Sequence, residues 1–264
     1  MTATALTPWL HAPRPRPDAA LRLYCLPYAG AGASAFREWP RALGELGPYE
    51  VVAVQYPGRE NRLREDPYID LDAMADAVTA SIEGPYAVFG HSIGARLAFE
   101  LCRRLRERPV PAPSALLVSG CPAPQNPPAA VRDSDLPDEE FLARVAGMGG
   151  LPGEVVSDPE LRALVLPVLR SDFARVDDYR YEPGPPLPCP LTAYVGDADP
   201  EADPVTAAGW REQTAADFAL RVLPGDHFFL HSARDALLRD LSTRLAAAAQ
   251  APGDRRTTTS EEQR

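Results

Sequence analysis

The chain contains no lysine, so all 27 of its fixed positive charges are arginines, set against 37 aspartates and glutamates for a formal charge of -10 at pH 7. No basic stripe or patch of the kind that neutralises phosphates stands out, which argues against nucleic acid as a partner. Long apolar runs are also missing. No stretch approaches the roughly 18 residues of a membrane-spanning helix, and the opening "MTATALTPWLHAPRPRPDAA" lacks the apolar centre of a secretion signal. Cysteine is scarce: Cys25, Cys102, Cys121 and Cys189 lie far apart, form no CxxC pair, and mostly sit in or beside apolar runs. They read as buried, reduced thiols, and a cytoplasmic protein is expected, without a metal and without a membrane. No internal repeat is present.

What remains is ordinary globular material. The 264 residues with 45% hydrophobic content suit one domain with a sizeable core. Short apolar runs at Leu21 to Leu26, Glu50 to Tyr56, Tyr86 to Gly90, Ala115 to Gly120, Leu191 to Gly196 and Phe218 to Leu223 read as buried strands. Helical periodicity separates them in "LDAMADAVTASI", "SIGARLAFELCRRLRE", "VTAAGWREQTAADF" and "ARDALLRDLSTRLAAAA". Alternation of this kind predicts an α/β fold with a mostly parallel sheet flanked by helices. Residues 1–20 read as an N-terminal segment, 21–250 as the domain, and the polar 251–264 as a disordered tail. Between Cys121 and about Pro190 no strand is evident, but prolines and three helical patches are. About 70 residues exceed a simple crossover, so an insertion at 121–190 is expected, acting as a helical lid over the carboxyl ends of the strands.

One pentapeptide carries chemistry. "GHSIG", Gly90 to Gly94, would arise by chance in roughly one chain in ten of this length, but here it joins a strand to a helix. At such a turn Ser92 is exposed, the two glycines relieve crowding, and the helix N-terminus faces developing negative charge. The Ile93 N–H becomes an oxyanion donor. A serine needs an oriented base. His11 lies in the Pro/Arg-rich N-terminus and His91 inside the turn, facing away from the hydroxyl. His227, on a glycine-containing loop after the last strand, is favoured over His231, which falls at the start of the last helix. The acid belongs on the loop "GDADPEADP", where Asp197, Asp199 and Asp203 compete as turn residues. Asp199 is preferred because it lies a few residues past the strand with Pro200 stiffening the turn. The small-residue loop "LPYAGAGASAF" offers the second oxyanion donor, the Ala29 N–H.

Taken in order, "LPYAGAGASAF", "VQYPGRENRL", "GPYAVFGHSIGARLAFELCRRL", "LPVLRSDFARVDDYRY", "GDADP", Trp210 and "GDHFFL" resemble the type II thioesterases of polyketide and nonribosomal peptide synthases, from about Leu21 to Leu241. The resemblance implies an α/β-hydrolase fold with a helical lid and a triad of Ser92, Asp199 and His227. It implies hydrolysis of stalled or aberrant acyl groups from the phosphopantetheine arm of acyl or peptidyl carrier proteins. No cofactor is implied, because phosphopantetheine enters with the substrate. This chain departs from the family's usual pattern at Ile93, often methionine, and at Asp226, which sets a negative charge beside His227.

A carboxylesterase, an acyltransferase or cyclase with the same triad, and a non-catalytic binding protein on the same fold are the alternatives. A complete set of triad residues disfavours the last. A monomer is expected, docking transiently with its carrier. Because net charge offers no attraction to an acidic partner, the arginines of "RENRLRE" (Arg59, Arg62, Arg64) and "CRRLRER" are the candidate docking cations.

Overall fold

The computed structural model describes residues 7–126, 131–151 and 153–250. The expected tail at 251–264 lies outside the described residues. Among the described residues seven strands form one sheet: β1 (Leu10–His11), β2 (Leu21–Leu26), β3 (Tyr49–Val54), β4 (Tyr86–His91), β5 (Ala115–Ser119), β6 (Leu191–Gly196) and β7 (Phe218–Leu223). Their order is β1-β3-β2-β4-β5-β6-β7, with only β1 antiparallel to its neighbour. The helices are α1 (Trp39–Leu46), α2 (Leu71–Ser81), α3 (Ile93–Leu105), α4 (Asp138–Gly147), α5 (Gly153–Ser157), α6 (Pro159–Asp177), α7 (Pro204–Ala208), α8 (Phe229–Ser232) and α9 (Arg234–Gln250).

Successive side chains of β2 divide between two apolar layers, as the period of a strand demands. Tyr24 and Leu26 pack with Met74, Val78, Leu97 and Leu101 of α2 and α3. Leu21, Leu23 and Cys25 pack with Trp39 and Leu43 of α1 and with Leu237 and Leu241 of α9. Burial on both faces explains why β4 and β5 appear in the sequence as nearly continuous apolar runs. It also encloses the thiols. All four cysteines are free and buried, and burial raises their pKa values, that of Cys189 to about 12. In the native protein they are expected to resist Ellman's reagent at neutral pH and to react only on unfolding. A thiol titrating within seconds without denaturant would contradict that packing.

Two local readings change. Leu10 and His11, inside the segment assigned to the N-terminus, pair with Val54 and Ala53 as an edge strand, too short to register as a pattern. The helix expected over "VTAAGWREQTAADF" divides at Gly209 into α7 and a 3-10 turn, Gly209–Gln213, which sinks Trp210 into the core. The Trp210 indole N–H donates to the Cys121 carbonyl at 2.9 Å, an anchor that a continuous helix is not required to reach.

Strand order reverses direction between β2 and β4: the chain leaves β2 for β3 on one side, then returns to β4 on the other. Loops at the carboxyl ends of strands flanking such a point diverge and leave a crevice. The segment between β5 and β6 supplies α4, α5 and α6. These hold a small apolar cluster of their own, Phe141, Leu142, Val145, Leu169 and Phe173.

Candidate active site

Ser92 occupies the turn between β4 and α3 with φ 57° and ψ -123°, a left-handed setting that is costly for a residue with a Cβ. Close packing holds it there. A Cβ on Gly90 would lie 2.0 Å from the Gly94 carbonyl oxygen, and one on Gly94 would lie 2.3 Å from that of Leu26. Both glycines are therefore obligatory, and the second lets the start of α3 press against the backbone leaving β2. That contact brings the Ile93 and Ala29 regions onto the same cavity wall. Neither the Ile93 N–H nor the Ala29 N–H is bound to an acceptor among the described residues.

The loops after β6 and β7 bring two further groups. His227 Nε2 lies 3.1 Å from Ser92 Oγ. On the other side of the ring, Nδ1 lies 3.1 and 3.0 Å from the two carboxylate oxygens of Asp199. His227 is 4% exposed and Asp199 7% exposed, so solvent screens the contact weakly. Asp199 Oδ1 also accepts the Glu201 N–H at 2.8 Å, which orients the carboxylate. If Nδ1 carries the proton, Nε2 is left as an acceptor facing the serine hydroxyl.

The other acidic residues nearby bond elsewhere. Asp197 accepts the Gly225 N–H at 2.9 Å. Asp203 caps α7 by accepting the Thr206 N–H at 2.7 Å, a bond that holds its carboxyl below the usual range. Asp226 accepts the Phe228 N–H at 2.9 Å. His231 is exposed, stacks on Phe228 and meets the Tyr28 hydroxyl at 3.1 Å. His11 is exposed on β1. His91 is buried beneath the site, its Nδ1 2.9 Å from Ser119 Oγ and its ring 5.1 Å from that of His227. Burial, reinforced by His227, drives its pKa well below the ordinary value and keeps the imidazole neutral.

A cavity of about 210 Å³ opens on Ser92 and His227, lined also by Ala29, Ile93, Cys121 and Phe173. Phe173 comes from α6, so the insertion forms part of the wall. Among the described residues no group of three or more His, Cys, Asp or Glu is arranged to hold a metal ion, and no helix is long and apolar enough to cross a membrane.

Most of the arginines named as docking cations have partners within the protein. Arg59 is buried against Asp172, and Arg62 is buried between Glu65 and the Trp9 ring. On α3 and just beyond it, Arg103 pairs with Glu100, Arg104 with Asp72, and Arg108 with Asp72 and Asp76, while Arg106 donates to the Pro185 and Pro186 carbonyls. Of the first cluster only Arg64 is exposed. The pairing of Arg59 with a residue 113 positions away leaves no local trace in the sequence.

The model of the thioesterase domain matches residues 21–245. The gramicidin S biosynthesis protein GrsT of Aneurinibacillus migulanus is 39% identical over 231 residues, covering 86% of this chain and 90% of that protein. The thioesterase PikA5 of Streptomyces venezuelae is 38% identical over 253 residues, covering 94% and 89%. The solved structure of the type II thioesterase BorB from the borrelidin biosynthetic cluster superposes with a TM-score of 0.81 at 40% identity, covering 92% of this chain and all of that one. The chain belongs to the thioesterase family, on its type II branch, as a serine hydrolase with the α/β-hydrolase fold.

Proposed function

We propose that this enzyme hydrolyses short acyl thioesters carried on the phosphopantetheine arm of acyl or peptidyl carrier proteins, removing stalled or aberrant groups during polyketide or nonribosomal peptide synthesis. The observation that carries the reading is the unbroken relay from Asp199 through His227 to Ser92, opening on a small cavity beneath the insertion. The cavity beside Ser92, walled in part by Phe173 of the insertion, is the place the acyl group would occupy.

Ser92 Oγ attacks the thioester carbonyl while His227 Nε2 takes its proton, and Asp199 steadies the imidazolium. The carbonyl oxygen gains negative charge and is met by the N–H groups of Ile93 and Ala29, with the α3 N-terminus behind them. Collapse breaks the C–S bond, and the proton on His227 passes to the departing thiolate. A water then gives its proton to Nε2, attacks the acyl-serine, and releases the carboxylic acid with Ser92 restored. Every proton moves between the substrate, water, Ser92 and His227, with Asp199 ionised throughout. Neutral His91 adds no competing positive charge. The insertion acts as the lid: α4 and α6 share an apolar cluster, and Phe173 of α6 lines the cavity.

The relatives named for gramicidin S biosynthesis and for the borrelidin cluster support the choice of carrier-bound substrate. Four buried thiols suit the reducing cytoplasm, where a monomer meeting its carrier transiently completes the picture. The test compares kcat/KM for one short acyl group on a carrier protein, on coenzyme A and as a simple ester. The carrier form is expected to exceed the ester by at least about tenfold, because remote binding energy lowers the barrier. Equal values for all three would make the protein a general esterase.

A further inference from the structure

Asp172, in the second turn from the end of α6, is 1% exposed, and its partner Arg59, on the loop after β3, is 4% exposed. Their contact is two-pronged: Arg59 Nη1 donates to Oδ2 at 2.7 Å and Nη2 to Oδ1 at 3.0 Å. The pair does more than join two elements. Asp172 Oδ2 also accepts the Gly30 N–H at 2.8 Å, and Arg59 Nη1 also donates to the Ala31 carbonyl at 3.2 Å. The two charged groups thus grip the residues immediately after Ala29 by one N–H and one C=O.

The same short loop is constrained sterically. Gly30 has φ +76°, and a Cβ there would lie 2.7 Å from Leu169 Cδ2. The Ala31 N–H closes the turn on the Tyr28 carbonyl at 3.1 Å. Rotation of the 29–30 peptide is therefore opposed by Leu169 and Asp172, both on α6, and by Arg59. The Ala29 N–H keeps its place on the cavity wall without an acceptor of its own.

We infer that Asp172 is a positioning residue: docked on the body, α6 sets the loop that presents the Ala29 N–H, so the oxyanion hole is complete only with the insertion in place. This rests on the proposed role of Ala29 as an oxyanion donor. The relay of Ser92, His227 and Asp199 uses no atom of α6, so lifting the helix leaves the nucleophile and base intact while freeing the loop. An open cavity then admits substrate without rapid cleavage, and cleavage follows closure.

Asp172→Asn keeps the volume but must turn an NH2 toward either Gly30 N–H or Arg59, donor against donor. Its kcat is expected to fall about 10²-fold or more, the scale of a lost oxyanion donor, with KM changed less than about threefold. The discriminating readout is a trifluoromethyl ketone analogue of the acyl group, which adds Ser92 and forms an oxyanion, beside a non-hydrolysable thioether, which does not. Ketone affinity should fall in step with kcat/KM while thioether affinity holds.

Because Asp172→Asn leaves Arg59 buried with a weakened partner, the double variant Arg59→Leu with Asp172→Leu removes both charges and restores an apolar contact. It should fold, measured by thermal unfolding, yet stay as slow as the single variant and as weak toward the ketone. A double variant that recovers wild-type turnover and ketone affinity would reduce the pair to a stabilising contact and overturn the inference. Failure of the wild-type enzyme to bind the ketone more tightly than the thioether would instead overturn the oxyanion-hole reading on which it rests.

Discussion

Ser92→Ala is expected to lower kcat by at least about 10³-fold while leaving the thermal midpoint within a few degrees of the wild type. The separation of these effects follows from the turn. Ser92 Oγ contacts His227 Nε2 and holds no helix cap, so deleting it removes the attacking atom and little packing. The backbone at φ 57° is borne about equally by serine and alanine, since both carry a Cβ. Residual hydrolysis is expected from the oxyanion donors and substrate binding alone. Circular dichroism against temperature, with burst kinetics on an acyl thioester, checks both halves. A variant with near-normal turnover would remove Ser92 from the mechanism.

Asparagine at position 199 is expected to have a still larger effect for its size, a loss of up to about 10⁴-fold in kcat. The amide offers His227 Nδ1 an N–H2 in place of one carboxylate oxygen. The imidazole then favours the tautomer with its proton on Nε2, where it cannot accept from Ser92. Asp197→Asn keeps a side-chain oxygen for the Gly225 N–H, and Asp203→Asn remains a good cap for α7. Both should retain kcat within about threefold. Measuring the three variants side by side on one substrate identifies the acid, and a large loss confined to Asp203→Asn would move it to that position.

How far the molecule could be read in advance depended on distance along the chain. Leu21–Leu26, Leu191–Gly196 and Phe218–Leu223 are strands at the expected residues, since each is mostly apolar and ends in turn chemistry, although Phe218–Leu223, at the sheet edge, is only partly buried where a buried strand was expected. The elbow was legible because its requirements are local: glycine at 90 and 94, a strand before and a helix after. Ser92, His227 and Asp199 meet in space because each follows the carboxyl end of a parallel strand, a place that chain order alone suggests. The Gly209 break was hidden because helix periodicity continues through it and burial of Trp210 decides the outcome. Two of the candidate docking arginines, Arg59 and Arg62, are buried, which was hidden for a related reason. Charge is visible in a sequence and burial is not, so Arg59 looked solvated until Asp172 was placed against it. Asp172 itself lies within "LPVLRSDFARVDDYRY", an acid between apolar neighbours on a helical face, which was the available signal.

The site joins Ser92 to His227, 135 residues further along the chain, and this separation has a consequence during translation. At roughly 5–20 residues per second, the ribosome adds His227 about 7–27 s after Ser92. The elbow, α3 and the insertion are all synthesised before the histidine exists. On the proposed mechanism, an unfinished chain that encounters an acylated carrier has a serine without its base and cannot strip the carrier. Hydrolytic power arrives only with the last strand and the loop that follows it.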